Sequence, residues 1–376
     1  MPSELPTNRG YAAATATRLA VERGWLYRPT AAWTYSHHPH LAFFQGRYLA
    51  MWSNGRRDED APGQRVLVAE SADFRTWTPP RPLLDAPPGQ YGEPVLTAAG
   101  WHADGDTLVA YAGHYEYRPE ALADDGKRQP GDTGHCGTGL WAMTSRDGKS
   151  CSAPQDLGLP LVPNHGPQRT ASGRLILSGN ISFPYTDDSS GLGGWHVTGI
   201  YPPAMAAGIV DDSESFWRVK EAMGWPVGLC EGSWYQTADG TLHMLLRSNA
   251  ERLWVTESRD DGTTWSAPVP TEFSDNATKF HFGRLPDGRF YYVGCPDPEP
   301  RWRRSPLVLS LSENGIRFDR HFILADESYV RLADGLHKSG EYGYPHTLVH
   351  AEALHVIVSR QKEAVEVLRV PFSLLG

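Results

Sequence analysis

Histidine, tyrosine, arginine and acid gather in short stretches at the edges of this chain's apolar runs. Ser36-His37-His38-Pro39-His40 precedes one such run, and Met51-Trp52-Ser53-Asn54-Gly55-Arg56-Arg57-Asp58-Glu59-Asp60 leaves the next, followed by Gly63-Gln64-Arg65. Gly113-His114-Tyr115-Glu116-Tyr117-Arg118, Asn164-His165-Gly166-Pro167-Gln168-Arg169 and Glu231-Gly232-Ser233-Trp234-Tyr235 stand in corresponding places. So do Asn276-Ala277-Thr278-Lys279-Phe280-His281 and Gly343-Tyr344-Pro345-His346. Imidazole and phenol exchange protons, and guanidinium grips a carboxylate in bidentate fashion. The pattern suits acid–base chemistry on an anionic substrate.

The recurrence carries the reading. A single polar residue in a loop is ordinary surface, and the charged run Arg56–Asp60 reads equally well as a solvated loop. A set repeated at the start of successive units (His38, His165, Glu231 with Tyr235, Lys279 with His281, Tyr344 with His346) reads as the lining of one pocket. His102, His243, His350 and His355 fall inside strand patterns and read as framework.

The elements that position these residues are strands joined by a recurring turn. Ser258-Arg259-Asp260-Asp261-Gly262-Thr263-Thr264-Trp265 is the Asp-box, S-x-D-x-G-x-T-W. Its Ser and Asp cap the turn's N–H groups, its Gly takes positive φ, and its Trp packs inward. Degenerate copies are Ser71–Trp77, Ser145–Cys151, Asp211–Trp217 and Ser312–Phe318. Boxes at this interval indicate an all-β, single β-propeller over residues 1–376, with Trp77 and Trp265 buried at homologous turns.

Glycine turns at Gly46, Gly105, Gly173, Gly240 and Gly288, with the strands around Thr347–Val370, give six units. A seventh has room in 1–35 or 181–230. In the third unit, strands are expected near Trp195–Ile200 and Ala206–Val210, and Thr17–Val21 is expected to close the ring.

Composition narrows function. The 376 residues carry a net charge of -9, which disfavours nucleic acid and anionic membranes as partners. No apolar run is long enough for a signal peptide or a membrane span. The four cysteines are scattered and define no disulfide framework. These features point to a cytoplasmic protein, or a secreted one if a leader was trimmed. His135-Cys136 lacks the short Cys spacing of a structural zinc site.

The boxes resemble those of sialidase-superfamily propellers. Sialidases carry an arginine triad and a Phe/Tyr-Arg-Ile-Pro motif. Here Tyr27-Arg28-Pro29 lacks the Ile, and no Asp/Glu–Tyr nucleophile pair is evident, which argues against sialic acid hydrolysis. A closer resemblance is to propeller enzymes acting on terminal L-rhamnose-α-1,4-D-glucuronate. It runs through His38 to Gly63-Gln64-Arg65, Asn164–Arg169, Tyr344-Pro345-His346 and Ser359-Arg360-Gln361-Lys362-Glu363. That family combines an α-L-rhamnosidase using a histidine with a lyase that breaks the same bond by β-elimination. Its usual seven blades differ from the six units counted here. Ulvan lyases are more distant relatives.

The resemblance implies an acidic oligosaccharide or polysaccharide substrate. Elimination at a uronate needs a group to neutralise the carboxylate, a base, and an acid for the leaving oxygen. His38 with His114 or Tyr115 is the expected proton-transfer pair, with His165 and His346 beside it. Arg169 or Arg65 is expected to hold the carboxylate. Tyr117, Glu231, Tyr235, Lys279, His281 and Tyr344 are expected to contact the sugar. Hydrolysis with retention usually uses two carboxylates, and Glu231 is the one evident acid in the ring. Elimination is therefore favoured over rhamnosidase-type hydrolysis, and a non-catalytic carbohydrate-binding propeller is the contrasting reading. By resemblance alone, Ca²⁺ is an alternative carboxylate clamp, although no Ca²⁺ loop motif occurs.

Overall fold

The computed structural model describes residues 4–124, 129, 134–211 and 213–376. Two short N-terminal strands, β1 (Thr17–Arg18) and β2 (Glu22–Tyr27), precede the body of the chain. The first sheet is β3 (Tyr35–Phe44), β4 (Arg47–Gly55), β5 (Arg65–Ser71) and β6 (Arg81–Leu84), and the second is β7 (Val95–Asp104), β8 (Thr107–Tyr117), β9 (His135–Ser145) and β10 (Gln155–Asp156). The third is β11 (His165–Arg169), β12 (Leu175–Ser178) and β13 (Tyr185–Thr186), followed by helix α1 (Ser213–Met223). The fourth is β14 (Leu229–Gln236), β15 (Leu242–Ser248), β16 (Arg252–Ser258) and β17 (Val269–Ser274). The fifth is β18 (His281–Arg284), β19 (Phe290–Gly294), β20 (Leu307–Ser312) and β21 (Arg320–Ala325), with β1 parallel to β21. The sixth is β22 (Gly343–His350), β23 (Ala353–Arg360) and β24 (Ala364–Pro371), with β2 on its outer edge.

The first strands of the sheets face one another around a closed circuit: β3 packs on β7, β7 on β11, β14 on β18, β18 on β22, and β22 on β3. Sheets three and four meet through β12 and β14. The fold is a β-propeller with one sheet for each of the six counted units. Most of the apolar cores lie between neighbouring sheets, as with Leu307, Leu309, Val356 and Val358 between sheets five and six, and Leu41, Trp52, Ile357 and Val367 between six and one.

Local chemistry explains the hairpins. Gln45 and Gly46 both take positive φ (47° and 76°), the geometry of a two-residue turn whose twist matches its strands. Gly100 (φ 100°) and Gly166 let β7 and β11 approach closely, since a Cβ on Gly100 would lie 2.4 Å from the Gly166 nitrogen.

Four of the five boxes form. Ser71, Ser145, Ser258 and Ser312 each accept an N–H from the turn, at 2.8–3.0 Å in the four cases. Asp73, Asp147, Asp260 and Asn314 accept the N–H groups that follow. In the first box Phe74 takes the Gly position at φ 64° and is itself buried. Trp77 and Trp265 are half-buried rather than fully buried, resting on the edges of their cores.

Three expectations are corrected. Asp211–Trp217 is not a box: α1 begins at Ser213, and Asp212 lies outside the described residues. Phe216, Val219 and Met223, spaced for one helical face, pack α1 onto the core between sheets three and four. The strands expected at Trp195–Ile200 and Ala206–Val210 do not form. Isolated bridges at His196 and Gly199 and a 3-10 turn at Pro203–Gly208 stand there, as the successive prolines Pro202 and Pro203 suit. The ring is closed by β2 (Glu22 opposite Arg369, Trp25 opposite Glu366), whereas Thr17–Arg18 belongs to sheet five.

Candidate functional site

The inner strands of sheets one, four and six share an irregularity. Pairing shifts register between His37 and His40, between Cys230 and Ser233, and between Gly343 and His346. Within each bulge one non-glycine residue takes left-handed backbone: His38 (φ 51°), Glu231 (φ 51°) and Tyr344 (φ 55°). A bulge re-aims a side chain, and a strained residue of this kind marks a site the surrounding fold enforces. All three line one cavity of about 240 Å³, together with Glu59, Asp60 (φ 54°), Thr97, Tyr115, His135, Asn164, Asn180 and Asp211. A larger cleft of about 720 Å³ lies at Glu4–Arg9, Arg252 and Glu272, beside the box at Ile316–Phe318. It holds no histidine, and ion pairs such as Arg9–Glu272 and Arg317–Glu4 occupy its charges.

At the cavity wall Tyr344 donates its phenol proton to Glu231 Oε1. Arg247 Nη1 donates to Glu231 Oε2 at 2.6 Å and to the Tyr344 oxygen at 3.2 Å. Burial pushes the Tyr344 phenol well above its ordinary pKa, as does the Glu231 charge, while Arg247 and Arg304 oppose them. For Glu231, burial acts to raise the pKa, but the Arg247 charge and hydrogen bond outweigh it and hold the carboxyl below its usual range.

Three buried cations, Arg304, Lys279 and Lys362, and the half-buried Arg247 lie around this pair. Lys362 is matched by Glu59 at 2.6 Å. Arg304 is 3% exposed, its Nε and Nη1 have no hydrogen-bond partner, and its guanidinium lies 5.6 Å from the Tyr344 ring. Lys279 donates to the Asn164 carbonyl, sits 5.4 Å from the Tyr344 ring, and is pushed down to about 7 by burial, with Glu231 opposing. The mouth thus holds cations and acids together, Arg247 paired with Glu231 and Lys362 with Glu59.

His38 is half-buried, and its Nδ1 meets Ser53 Oγ at 3.2 Å. Ser53 is fixed in turn by the Ala98 N–H at 3.0 Å, which leaves His38 Nε2 to the cavity. Burial, Lys279 and Lys362 depress its pKa, so the ring is neutral. His37 behind it bonds Ser359 Oγ at 2.6 Å and lies against the Tyr344 ring, centroids 3.9 Å apart and planes tilted by 39°. On the opposite wall Tyr115 packs on His135 at 4.4 Å, and the Tyr117 hydroxyl, just beneath, donates to the Asp60 carbonyl at 3.0 Å.

Of the expected site residues, His38, Tyr115, Glu231 and Tyr344 line the cavity, and Tyr117 and Lys279 support its floor and wall. His165, His281 and His346 lie deeper in the channel, stacked at 4.5 Å (His165 on His281, His281 on His346). The others lie elsewhere. His114 stacks flat on Trp141 at 4.0 Å on the middle strand of its sheet. Arg169 is held at the outer end of β11 by the Gly173 carbonyl (3.0 Å). Arg65 stacks on Trp33 at 3.6 Å and bonds Asn54. Tyr235 points its hydroxyl to the Gly315 carbonyl at the box end of the channel. Strand direction explains Arg169 and Tyr235, four residues beyond His165 and Glu231 on strands that lead away from the mouth, and the pleat explains His114, which faces the other side of its sheet from Tyr115.

The sequence reading missed Arg247, Arg304 and Asp211, and gave Glu59 and Asp60 only as part of a charged stretch that reads equally well as a solvated loop. It also found no acid–tyrosine pair, whereas Glu231 and Tyr344, 113 residues apart, make one. A signal existed: His38-Pro39, Glu231-Gly232 and Tyr344-Pro345 each place a backbone-restricting or permissive residue directly after the bulged one. The acids do not suit Ca²⁺, because Glu59 and Glu231 are engaged by Lys362 and Arg247 and Asp211 accepts the Asn180 and Ile181 N–H groups.

The profile of the BNR repeat-like domain matches residues 46–356, and the chain belongs to that family. No curated protein matches it in sequence. Among solved structures, a protein of unknown function from Dyadobacter fermentans superposes with a TM-score of 0.64 at 17% identity, covering 93% of this chain and 98% of its own. A sialidase superposes at 0.63 and 18% identity, covering 95% of this chain and 33% of that one. Trypanosoma rangeli sialidase captured with 2,3-difluorosialic acid as a covalent intermediate superposes at 0.62 and 13% identity, covering 94% and 60%. The chain therefore spans about a third and three-fifths of these two sialidase chains, and at such identities the likeness is one of fold.

Proposed function

We propose that this protein is a glycan-processing enzyme that cleaves a glycosidic bond to an acidic sugar, using Tyr344 as nucleophile. The observation that carries this reading is the buried Tyr344–Glu231 hydrogen bond with Arg247 on both oxygens. A phenol is a poor nucleophile while protonated, and an adjacent carboxylate that removes its proton activates it. In the first step Glu231 takes the phenol proton, the Tyr344 oxygen bonds the anomeric carbon, and the bond to the leaving oxygen breaks. Asp60, on the cavity wall and protonated beforehand, gives its proton to that oxygen. In the second step water attacks the anomeric carbon and gives a proton back to Asp60, the bond to Tyr344 breaks, and the Tyr344 oxygen recovers its proton from Glu231. Arg304, with two unpartnered nitrogens, receives the sugar's carboxylate. The covalent intermediate of the Trypanosoma sialidase supports such a route on this fold.

β-Elimination at a uronate, including L-rhamnose-α-1,4-D-glucuronate, is the second reading. It is favoured by one observation: His38 presents Nε2 to the same cavity that Tyr115 lines. The two are separated by incubating the protein with a panel of acidic glycans and weighing the products. Hydrolysis adds one water, and elimination adds none and leaves an ultraviolet-absorbing unsaturated uronate. A slow fluorinated acidic glycoside that labels the Tyr344 peptide supports the first reading. Turnover without any labelled intermediate, with unsaturated product, overturns it.

A further inference from the structure

We infer that the channel below the cavity is a transition-metal site formed by His40, His165 and His346. These residues come from sheets one, three and six, yet one ring nitrogen of each lies within 4.8 Å of the others. No similar group of three occurs among the described residues.

The hydrogen bonding sets these nitrogens apart from ordinary buried histidine. His165 is 1% exposed and donates Nε2–H to the Phe280 carbonyl at 3.1 Å, which fixes its tautomer and leaves Nδ1 with a lone pair and no partner. A ligating histidine whose other nitrogen donates to a backbone carbonyl has this arrangement. His40 is fully buried, and neither ring nitrogen makes a well-formed hydrogen bond, although the Ala98 backbone approaches the ring. Buried polar atoms seldom go unpartnered in a protein interior. His346 Nδ1 accepts only a long bond, 3.2 Å, from the Leu41 N–H, which ligation at that nitrogen exchanges for the metal. His281 stacks beside the group but its Nδ1 is taken by the Thr347 N–H at 2.9 Å, so it stands outside the ligand set.

Three neutral imidazoles without a carboxylate or thiolate select zinc, copper or nickel over calcium or magnesium. With metal–nitrogen bonds of about 2.0–2.1 Å, tetrahedral ligands sit about 3.4 Å apart, so the nitrogens, now within 4.8 Å of one another, close by up to about 1.4 Å on binding. The inference does not depend on the proposed reaction.

The test uses the full chain, stripped with chelator and titrated with Co²⁺ and then Zn²⁺. The wild type is expected to take up one equivalent, to show visible Co²⁺ absorption bands that Zn²⁺ abolishes, and to melt at higher temperature with metal than without. His165→Gln and His40→Ala are expected to weaken binding by more than the roughly 10–100-fold that a lost outer-shell partner costs. His102→Ala, at a framework position, is expected to bind as the wild type does. Should the variants fail to fold, the wild-type titration decides alone. Absence of stoichiometric uptake by the wild type, or undiminished uptake by a folded His40→Ala/His165→Gln double variant, overturns the site.

Discussion

The two ends of the blades solve opposite problems. At the box end, each turn satisfies its own backbone: Ser258 Oγ takes the Gly262 N–H, and Asp260 takes the Thr264 N–H and hydroxyl. At the mouth, His38, Asp60, Glu231 and Tyr344 hold left-handed backbone, and Arg304 keeps two nitrogens unpartnered in the interior. One end repeats a local solution with degenerate sequence, and the other assembles a single arrangement from residues far apart in the chain. Repetition stabilises the ring, and departure from it marks the working face.

Substitutions at the mouth should therefore cost rate, and those at the box end should cost stability. The largest effect is expected at Tyr344→Phe and Glu231→Gln, each lowering kcat on an acidic glycoside by at least about 10²–10⁴-fold, with Tm changed little. Full activity in both variants would end the nucleophile assignment. Next, Arg304→Met is expected to raise KM for the acidic substrate and to leave a neutral analogue unaffected. It removes a charge-assisted contact to the carboxylate, worth about 1.5–3 kcal/mol. An equal loss on both substrates would place Arg304 in the framework instead.

Asp260→Ala should lower stability by about 0.5–2 kcal/mol in denaturant unfolding, the range of a lost helix N-cap, which satisfies backbone N–H groups in the same way, with kcat intact. The comparison is sharpened by pH. Lys279 titrates at about 7 in the fold and at the ordinary 10.5 when unfolded. Between these values the unfolded chain binds more protons, so stability rises with pH across that window and is lost as pH falls toward 7. Lys279→Met should flatten this slope in unfolding curves taken from pH 7 to 10. The smallest effect is expected at Arg169→Ala, which sits 41% exposed beside Asp104 at the outer rim and should change neither kcat nor Tm measurably.

Much of the fold is legible along the chain because its signals are local. Gly46, Gly105, Gly240 and Gly288 mark hairpins, and Ser71, Ser145, Ser258 and Ser312 mark boxes, each within a few residues. Asp211–Trp217 deceived because acids followed by aromatics at short spacing suit a helix start as well as a box. The mouth was half legible: His38, Glu231 and Tyr344 repeat one position in successive units. Their partners were not. Arg247 ends a strand that reads as framework, and Arg304 lies in a proline-bounded loop. Only the ring brings them to Tyr344, and no periodicity encodes a contact such as that of Arg247, across 97 residues.

The pairing of β2 with β24 gives the site a condition for existing. His38 belongs to the first sheet and Tyr344 to the last, and the seam joining residues 22–27 to 364–371, at the outer edge of the last sheet, ties the chain's start, and the first sheet that follows it, to the last. Such a contact spans nearly the whole chain, and contacts of long sequence separation form late and slowly. A chain whose other sheets have formed but whose seam is open has no cavity. Turnover then reports circumference rather than secondary structure, and recovery of activity on refolding should lag behind recovery of the far-ultraviolet dichroism.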